Sequence, residues 1–530
     1  MKIPSVCGVL LAAAIGAVGW AREPVAPFES AAVGAPQSTI DELVLARLER
    51  LGISPAPPCS DAVFVRRVFL DAIGTLPAAD EVRAFLADKD PDKRSALVER
   101  LLARDEFADY WAMKWSDLLR VKSEFPINLW PNAVQAYHRW IRTAIRQNMP
   151  YDRFVRQLLT ANGSNFRVPQ VNFYRAVQSR EPAALAQAVA LTFMGVRAES
   201  WPKERWAGMA AFFAQVGYKP TLEWKEEIVF FDADKACAAD KAAAPGGKPA
   251  TAAFPDGTPA RLSPGQDPRV VFADWLLSAQ NPWFAANIAN RVWSWLLGRG
   301  IIHEPDDIRP DNPPCNPELL ALLERELLAA RYDLKHLYRL ILKSRTYQCS
   351  SIPGGKDARD DAAFSHYPLR RLDAEVLIDA ICRITGTTEQ YTSAIPEPFT
   401  FIPREQRAIA LADGSITSPF LEMFGRPARD TGLESERNNR PTDAQRLHLL
   451  NSNHIQQKLQ QSPKLRALGQ SQLKPREKLD ELYLTILSRF PTEEERKAVW
   501  AYNNAGQGKP RADGSLVWAL INTAEFLYRH

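Results

Sequence analysis

Residues 284–312 read Phe-Ala-Ala-Asn-Ile-Ala-Asn-Arg-Val-Trp-Ser-Trp-Leu-Leu-Gly-Arg-Gly-Ile-Ile-His-Glu-Pro-Asp-Asp-Ile-Arg-Pro-Asp-Asn. The apolar side chains recur at spacings of three and four, which predicts a helix over 283–297 with one buried face. Gly298 stops that helix, and Gly298-Arg299-Gly300 reads as a helix C-cap plus turn rather than a dinucleotide glycine motif. A long loop rich in Pro and Asp follows.

The same periodicity extends in both directions. Towards the N-terminus it predicts helices at about 60–72, 105–121, 132–148, 152–160, 182–195 and 203–216. Ser38-Thr39-Ile40-Asp41 reads as a capping box before Leu43, Leu45 and Leu48, and Gly52 ends that helix. Asp90-Pro91 reads as an N-cap followed by proline at the first helical position, leading into Leu97, Leu101 and Leu102. Towards the C-terminus, helices are expected at about 267–279, 317–330, 334–344, 373–385, 443–459, 476–488, 492–504 and 515–527. A Pro- and Gly-containing stretch, 387–440, divides that group. Long ordered connections of this kind are often functional.

The expected fold is therefore mainly α: two helical domains with long ordered loops and one small β element near 226–260. Glu226 to Ala233 is the strand candidate, and Phe254-Pro255-Asp256-Gly257-Thr258 is a turn that would close a hairpin with it. Asp234 to Ala253, rich in Ala, Lys, Pro and Gly, reads as a flexible linker. The division is 39–233 for the first domain, 234–266 for the linker and 267–530 for the second domain, after a short segment at 22–38.

The chain starts Met1-Lys2, continues with an apolar run from Val6 to Val18, and reaches Gly19-Trp20-Ala21. A short positive start, an apolar stretch and a small-x-Ala site make up a secretory signal peptide over 1–21, cleaved near Ala21. The run is short of the ~20 residues that span a bilayer. A periplasmic or secreted protein with no membrane span after cleavage is expected. The 66 Lys and Arg against 62 Asp and Glu leave a net charge of +4, too even a balance for a nucleic-acid partner.

Six cysteines, with no C-x-x-C pair, give no zinc, iron–sulfur or haem-attachment spacing. Cys59, Cys237, Cys315, Cys349 and Cys382 are scattered and read as mostly free thiols. His448 and His454 lie six apart, off the spacing for two metal ligands on one helical face.

The densest polar group lies in the opening stretch: Asn290, Arg291, Trp293, Trp295, His303, Asp306, Asp307, Arg309 and Asn312. Asn290 and Arg291 among Val, Ile and Trp are costly to bury without partners, and Asp306, Asp307 and Asp311 are natural ones. Three readings apply. The segment is an arginine–carboxylate clasp, a ligand cleft walled by Trp283, Trp293 and Trp295, or a calcium loop built from the aspartates and Asn312. Arg370-Arg371-Leu372-Asp373-Ala374-Glu375, and Arg66, Arg67 and Asp71, mix charge into apolar runs in the same way. Of these, Arg370, Arg371 and Glu375 join the candidate binding residues, with a buried ion network as the alternative. Trp111, Trp115, Trp130, Trp140, Trp201, Trp206 and Trp224 crowd the first domain, as core or as platforms for sugar rings.

Phe64-Val65-Arg66-Arg67-Val68-Phe69-Leu70-Asp71, Gly74-Thr75-Leu76-Pro77, Tyr110-Trp111-Ala112, Trp115-Ser116-Asp117-Leu118-Leu119 and Asn172-Phe173-Tyr174 resemble the planctomycete PSCyt-type domain of unknown function. Asn281-Pro282-Trp283-Phe284, Asn290-Arg291-Val292-Trp293, Asn312-Pro313-Pro314, Ser344-Arg345-Thr346-Tyr347-Gln348, Arg370-Arg371-Leu372-Asp373-Ala374-Glu375 and Phe424-Gly425-Arg426-Pro427 resemble the PSD-type domain that accompanies it. Together the motifs span about 39–528. The resemblance implies an exported, cytochrome-associated protein without an activity that carries over. Many relatives bear a cytochrome-c-like module and a C-x-x-C-H motif just after a Phe-Leu-Gly-Val helix end. Here that helix end is Phe193-Met194-Gly195-Val196, and Arg197 to Trp206 after it contain neither Cys nor His, so covalent haem is not expected.

The expected function is a non-catalytic binding or scaffold protein of the cell envelope, its partner a polysaccharide, sulfated in particular, or another exported protein. One alternative is a glycan hydrolase using carboxylates such as Asp306, Asp307 or Glu375. Such an enzyme needs a carboxyl pair ~5–9.5 Å apart across a cleft. A second alternative is a redox partner related to the haem-bearing proteins. No cofactor is expected apart from the calcium alternative.

Overall fold

In a computed structural model, residues 23–30, 38–127, 129–235, 252–263, 265–355, 360–504 and 514–530 are described. The apolar start and the centre of the Ala/Lys/Pro/Gly stretch, 236–251, lie outside them. Helices dominate, and strand is confined to two small sheets. No described helix is long and apolar enough to cross a membrane.

Local rules set most of the helix ends. Ser38 accepts from the amide of Asp41 and starts Thr39–Leu51, and Gly52 ends it in the left-handed conformation. The second predicted start moves. The Asp90 carboxylate is occupied by the Asp92 amide, so the chain turns once more and Lys93–Ala103 begins two residues later than Pro91. The helix predicted over 443–459 is two, Asp443–Asn451 and Asn453–Gln460. Ser452 is extended between them, and its hydroxyl accepts from the Ile455 amide. Predicted 515–527 likewise divides into Gly514–Ile521 and Ala524–Leu527. Ala79–Ala87 and Pro463–Gln470 are helices that the apolar spacing did not suggest.

The β element pairs differently from the expectation. Predicted helix 203–216 ends as Lys203–Ala210 plus one 3-10 turn at Ala211–Phe213, because Gly217 and Pro220 do not sustain a helix. From there the chain enters a three-stranded antiparallel sheet. β1 (Gly163–Ser164) and β2 (Val216–Pro220) flank β3 (Glu227–Phe231), with Val216 opposite Phe231 and Gly163 opposite Val229. The strand predicted near 226–233 is thus correct, and its hairpin partner is 216–220 rather than the turn at 254–258. That turn docks by itself: the Ala253 amide bonds the Gly208 carbonyl, and Phe254 stacks between Phe212 and Trp275 at 5.0 and 5.1 Å.

The two halves share a hydrophobic core that runs from Ile40 to Phe526. The Asp61–Ile73 helix shows how. Arg66, fully buried in it, donates to the main-chain oxygens of Ile486 and Phe526 at 2.7 and 2.9 Å. Arg67 donates to those of Tyr347, Cys349 and His530 at 2.6, 2.8 and 2.8 Å. β4 (Arg370–Arg371) pairs with β5 (Tyr528–Arg529), which returns the last residues to the centre of the molecule. The Phe284–Leu297 helix lies along this seam, with Trp295 against Trp111 and Trp115 at 5.2 and 5.9 Å.

Candidate functional site

The opening stretch folds into a closed clasp. Asn290 grips the main chain of Ile302 twice, Nδ2 donating to its carbonyl and Oδ1 accepting from its amide, both at 2.9 Å. Arg291 Nη2 donates to Asp306 Oδ1 at 2.9 Å, and its Nη1 stands 3.5 Å from Glu434 Oε2. The other oxygen of Asp306 accepts the Glu434 amide at 2.6 Å. Trp295 Nε1 donates to Glu434 Oε1 at 2.8 Å. Trp293 is buried edge-on to Phe364. Asn312 donates to the carbonyls of His303 and Asp307 at 3.0 and 2.8 Å, and Arg309 pairs with Asp307 and Asp311 at 3.2 and 3.3 Å. Burial and the neighbouring Arg299 hold the His303 imidazole below its ordinary pKa.

Arg370, Arg371 and Glu375 belong to a second buried network beside it. Arg370 donates to the carbonyls of Trp295 and Leu296 at 2.7 Å each, closing the C-terminus of the Phe284–Leu297 helix. It also meets Asp71 at 3.3 Å. Arg371 donates to the Phe424 carbonyl at 2.7 Å and to the Gln445 side chain. Glu375 receives both arms of Arg437 at 2.7 and 3.0 Å, and Arg437 reaches Asp117 at 2.7 Å. Asp373 is ringed by Lys114, Asn439 and Arg529 at 3.1, 2.7 and 3.0 Å. Burial pushes its carboxyl up, but Lys114, Arg529 and Arg437 outweigh burial and hold it well below the usual range.

These observations correct two expectations. The carboxylates proposed for glycan hydrolysis face arginines, not one another across a cleft: Asp306 on Arg291, Asp307 on Arg309, Glu375 on Arg437. The aspartates of the calcium alternative are turned to those same arginines instead of converging on one point. Among the described residues no group of three His, Cys, Asp or Glu is gathered as a metal ion would require. The candidate binding residues are brought together, but as structural braces: Arg370 reaches Asp71 of the first half, while Asn290, Arg291 and Glu375 hold Ile302, Asp306 and Arg437 within the second. Breaking one leaves a buried charge without its partner, which is where the large penalties lie.

The tryptophans separate by position. Trp111 and Trp115 are core, Trp140 stacks on Phe154, and Trp201 lies under the Arg205 guanidinium. Trp130 and Trp224 do something else. Trp224 is 66 % exposed at the tip of the β2–β3 hairpin, edge-on to Trp130 at 6.4 Å. Trp130 meets Phe399, itself 50 % exposed, at 5.3 Å. Lys225 Nζ hangs over both indoles, 5.6 and 5.2 Å from their ring centres. The hairpin tip is braced, because Glu226 takes the Thr221 hydroxyl at 2.7 Å and the Ser164 hydroxyl as well. Glu124 accepts the Ala394 amide at 3.1 Å and ties the remaining two segments together. The same three segments expose Phe125, Leu222 and Phe401. These side chains together form an exposed apolar platform on a braced scaffold.

Two comparisons bear on the class of protein. Residues 39–216 match the family model PSCyt2, protein of unknown function (DUF1549), and residues 268–502 match PSD1, protein of unknown function (DUF1553). The chain belongs to the proteins that join these two domains in this order. No curated protein and no solved structure matches it.

Proposed function

We propose that the protein is an exported binding protein of the cell envelope that holds anionic polysaccharide on the Trp130–Trp224–Phe399 platform. The carrying observation is the exposed Trp224 ring with Lys225 over it, on a hairpin tip fixed by Glu226. The apolar faces of pyranose rings stack on exposed indole, and the Lys225 ammonium beside the stack adds attraction for sulfate or carboxylate on the same sugar. The apolar run at 6–18 before Gly19-Trp20-Ala21 supports export. The platform draws on both domains, since 124–130 and 222–225 belong to one half and 394–401 to the other. A bound chain therefore reads the assembled molecule.

Tryptophan-fluorescence titration with a sulfated polysaccharide and its desulfated form tests this. Saturable quenching is expected with the sulfated chain, weakening as salt is raised. Trp224→Ala is expected to lower affinity at least about tenfold. A flat response to a broad polysaccharide panel, or binding unchanged in Trp224→Ala, overturns the reading.

A further inference from the structure

A cavity of about 240 Å³ opens between the Ala374–Thr385 helix and the loop that follows it, walled in part by Thr75 of the first half. Its volume suits one monosaccharide unit rather than the larger ligands of ~300–1,000 Å³ pockets. The platform does not contribute to it, and neither does the buried clasp.

Most of its charges are already balanced. Glu389 pairs with Lys458 and His454 at 2.9 Å each, both through Oε2. Its Oε1 takes no hydrogen bond from a described residue. Asp379 accepts the amides of Ala408 and Ile409 at 2.7 and 3.2 Å and meets Arg407 at 3.5 Å. Cys382 is no nucleophile, since burial pushes its thiol up to about 11.

Two groups are left over. Arg383 bonds only the Thr75 hydroxyl at 3.4 Å, with no carboxylate in ion-pair range among the described residues. The Tyr391 hydroxyl is buried with no hydrogen-bond partner among them. Glu405, the remaining lining carboxylate, is exposed.

An unpaired guanidinium fork calls for a planar anion, to which it binds in two-point fashion. Because Lys458 already neutralises Glu389, the free Oε1 calls for a neutral donor such as a hydroxyl, and so does the Tyr391 phenol. A sugar acid carries both. We propose that this cavity binds a single acidic sugar unit, its carboxylate on Arg383 and its hydroxyls on Glu389 and Tyr391. The free monomer and the end of a uronate chain share this chemistry. The proposal stands apart from the platform and survives its failure.

Calorimetric titration of the whole chain with glucuronate, glucose and an oligoglucuronate tests it. One saturable site for glucuronate is expected, with glucose at least about tenfold weaker, the loss of a charged hydrogen bond. Binding of the oligomer without the monomer assigns the site to chain ends; binding of both assigns it to the unit itself. Arg383→Met is expected to lose about tenfold or more, and Tyr391→Phe several-fold. The second change deletes only an unpartnered hydroxyl, so folding is preserved. Trp224→Ala is expected to leave this site unchanged. Failure of both glucuronate and the oligomer to bind more tightly than glucose, or parental affinity in Tyr391→Phe, overturns the proposal.

Discussion

Arg437 donates to Asp117 of one half and Glu375 of the other, and Arg291 joins Asp306 to Glu434 within the second half. Asn290, Arg291, Asp306, Arg370 and Glu375 were legible in the sequence, because polar side chains inside apolar periodic runs demand partners. Their partners were not. Glu434 lies 143 positions beyond Arg291, and Asp117 lies 320 before Arg437, distances over which local pattern carries no information. Asp379 bears a testable charge of its own. Burial pushes its carboxyl from the usual 3.8 up to about 6, with Glu375 reinforcing the shift and Arg407 opposing it. A raised carboxyl favours the folded state at low pH, so this penalty is absent below 3.8 and complete above 6. It amounts to about 3 kcal/mol at most. Asp379→Asn is therefore expected to be about 1–2 kcal/mol more stable than the parent at pH 8, after the loss of one acceptor and the Arg407 pair. Urea melts at pH 8 and pH 4 read this out. The advantage is expected to vanish at pH 4, and one equal at both pH values contradicts it.

At the scale of elements, capping chemistry was the most readable signal, as at Ser38, Gly52 and Gly298. It misled at Asp90, where an acidic side chain had a nearer amide to serve, and at Ser452, which caps from the middle of a periodic run. β2 was missed since five residues directly after a helix give too little alternation to register. Gly195 and Gly298 show why particular turns admit no side chain. Gly195, at φ 65°, lies against Asn287 and Pro305, where a Cβ would stand 2.6 and 2.8 Å from their oxygens. Gly298, at φ 75°, lies under the Arg370 side chain that caps the helix. Gly298→Ala is expected to strain the backbone and displace that arginine, costing about 2–3 kcal/mol of stability. Denaturant unfolding measures it, and a loss below about 0.5 kcal/mol contradicts the capping role.

For the whole molecule, the family order and the helical class were legible, because motifs and periodicity are local properties of the chain. The union of the halves was not. A linker-like stretch reads as a border between separate bodies, whereas Arg66, Arg67 and Arg437 lace the two into one core. The platform was invisible for the same reason, since Trp130, Trp224 and Phe399 become neighbours only once both halves are assembled. Tryptophan number hinted at sugar platforms, but number could not separate Trp224 from the buried Trp111. The most direct test of the account is hydrogen–deuterium exchange of the whole chain with and without saturating sulfated polysaccharide. The account predicts protection concentrated in 124–130, 222–225 and 394–401, lost together in Trp224→Ala. Protection confined to other segments, or none at saturation, would contradict it.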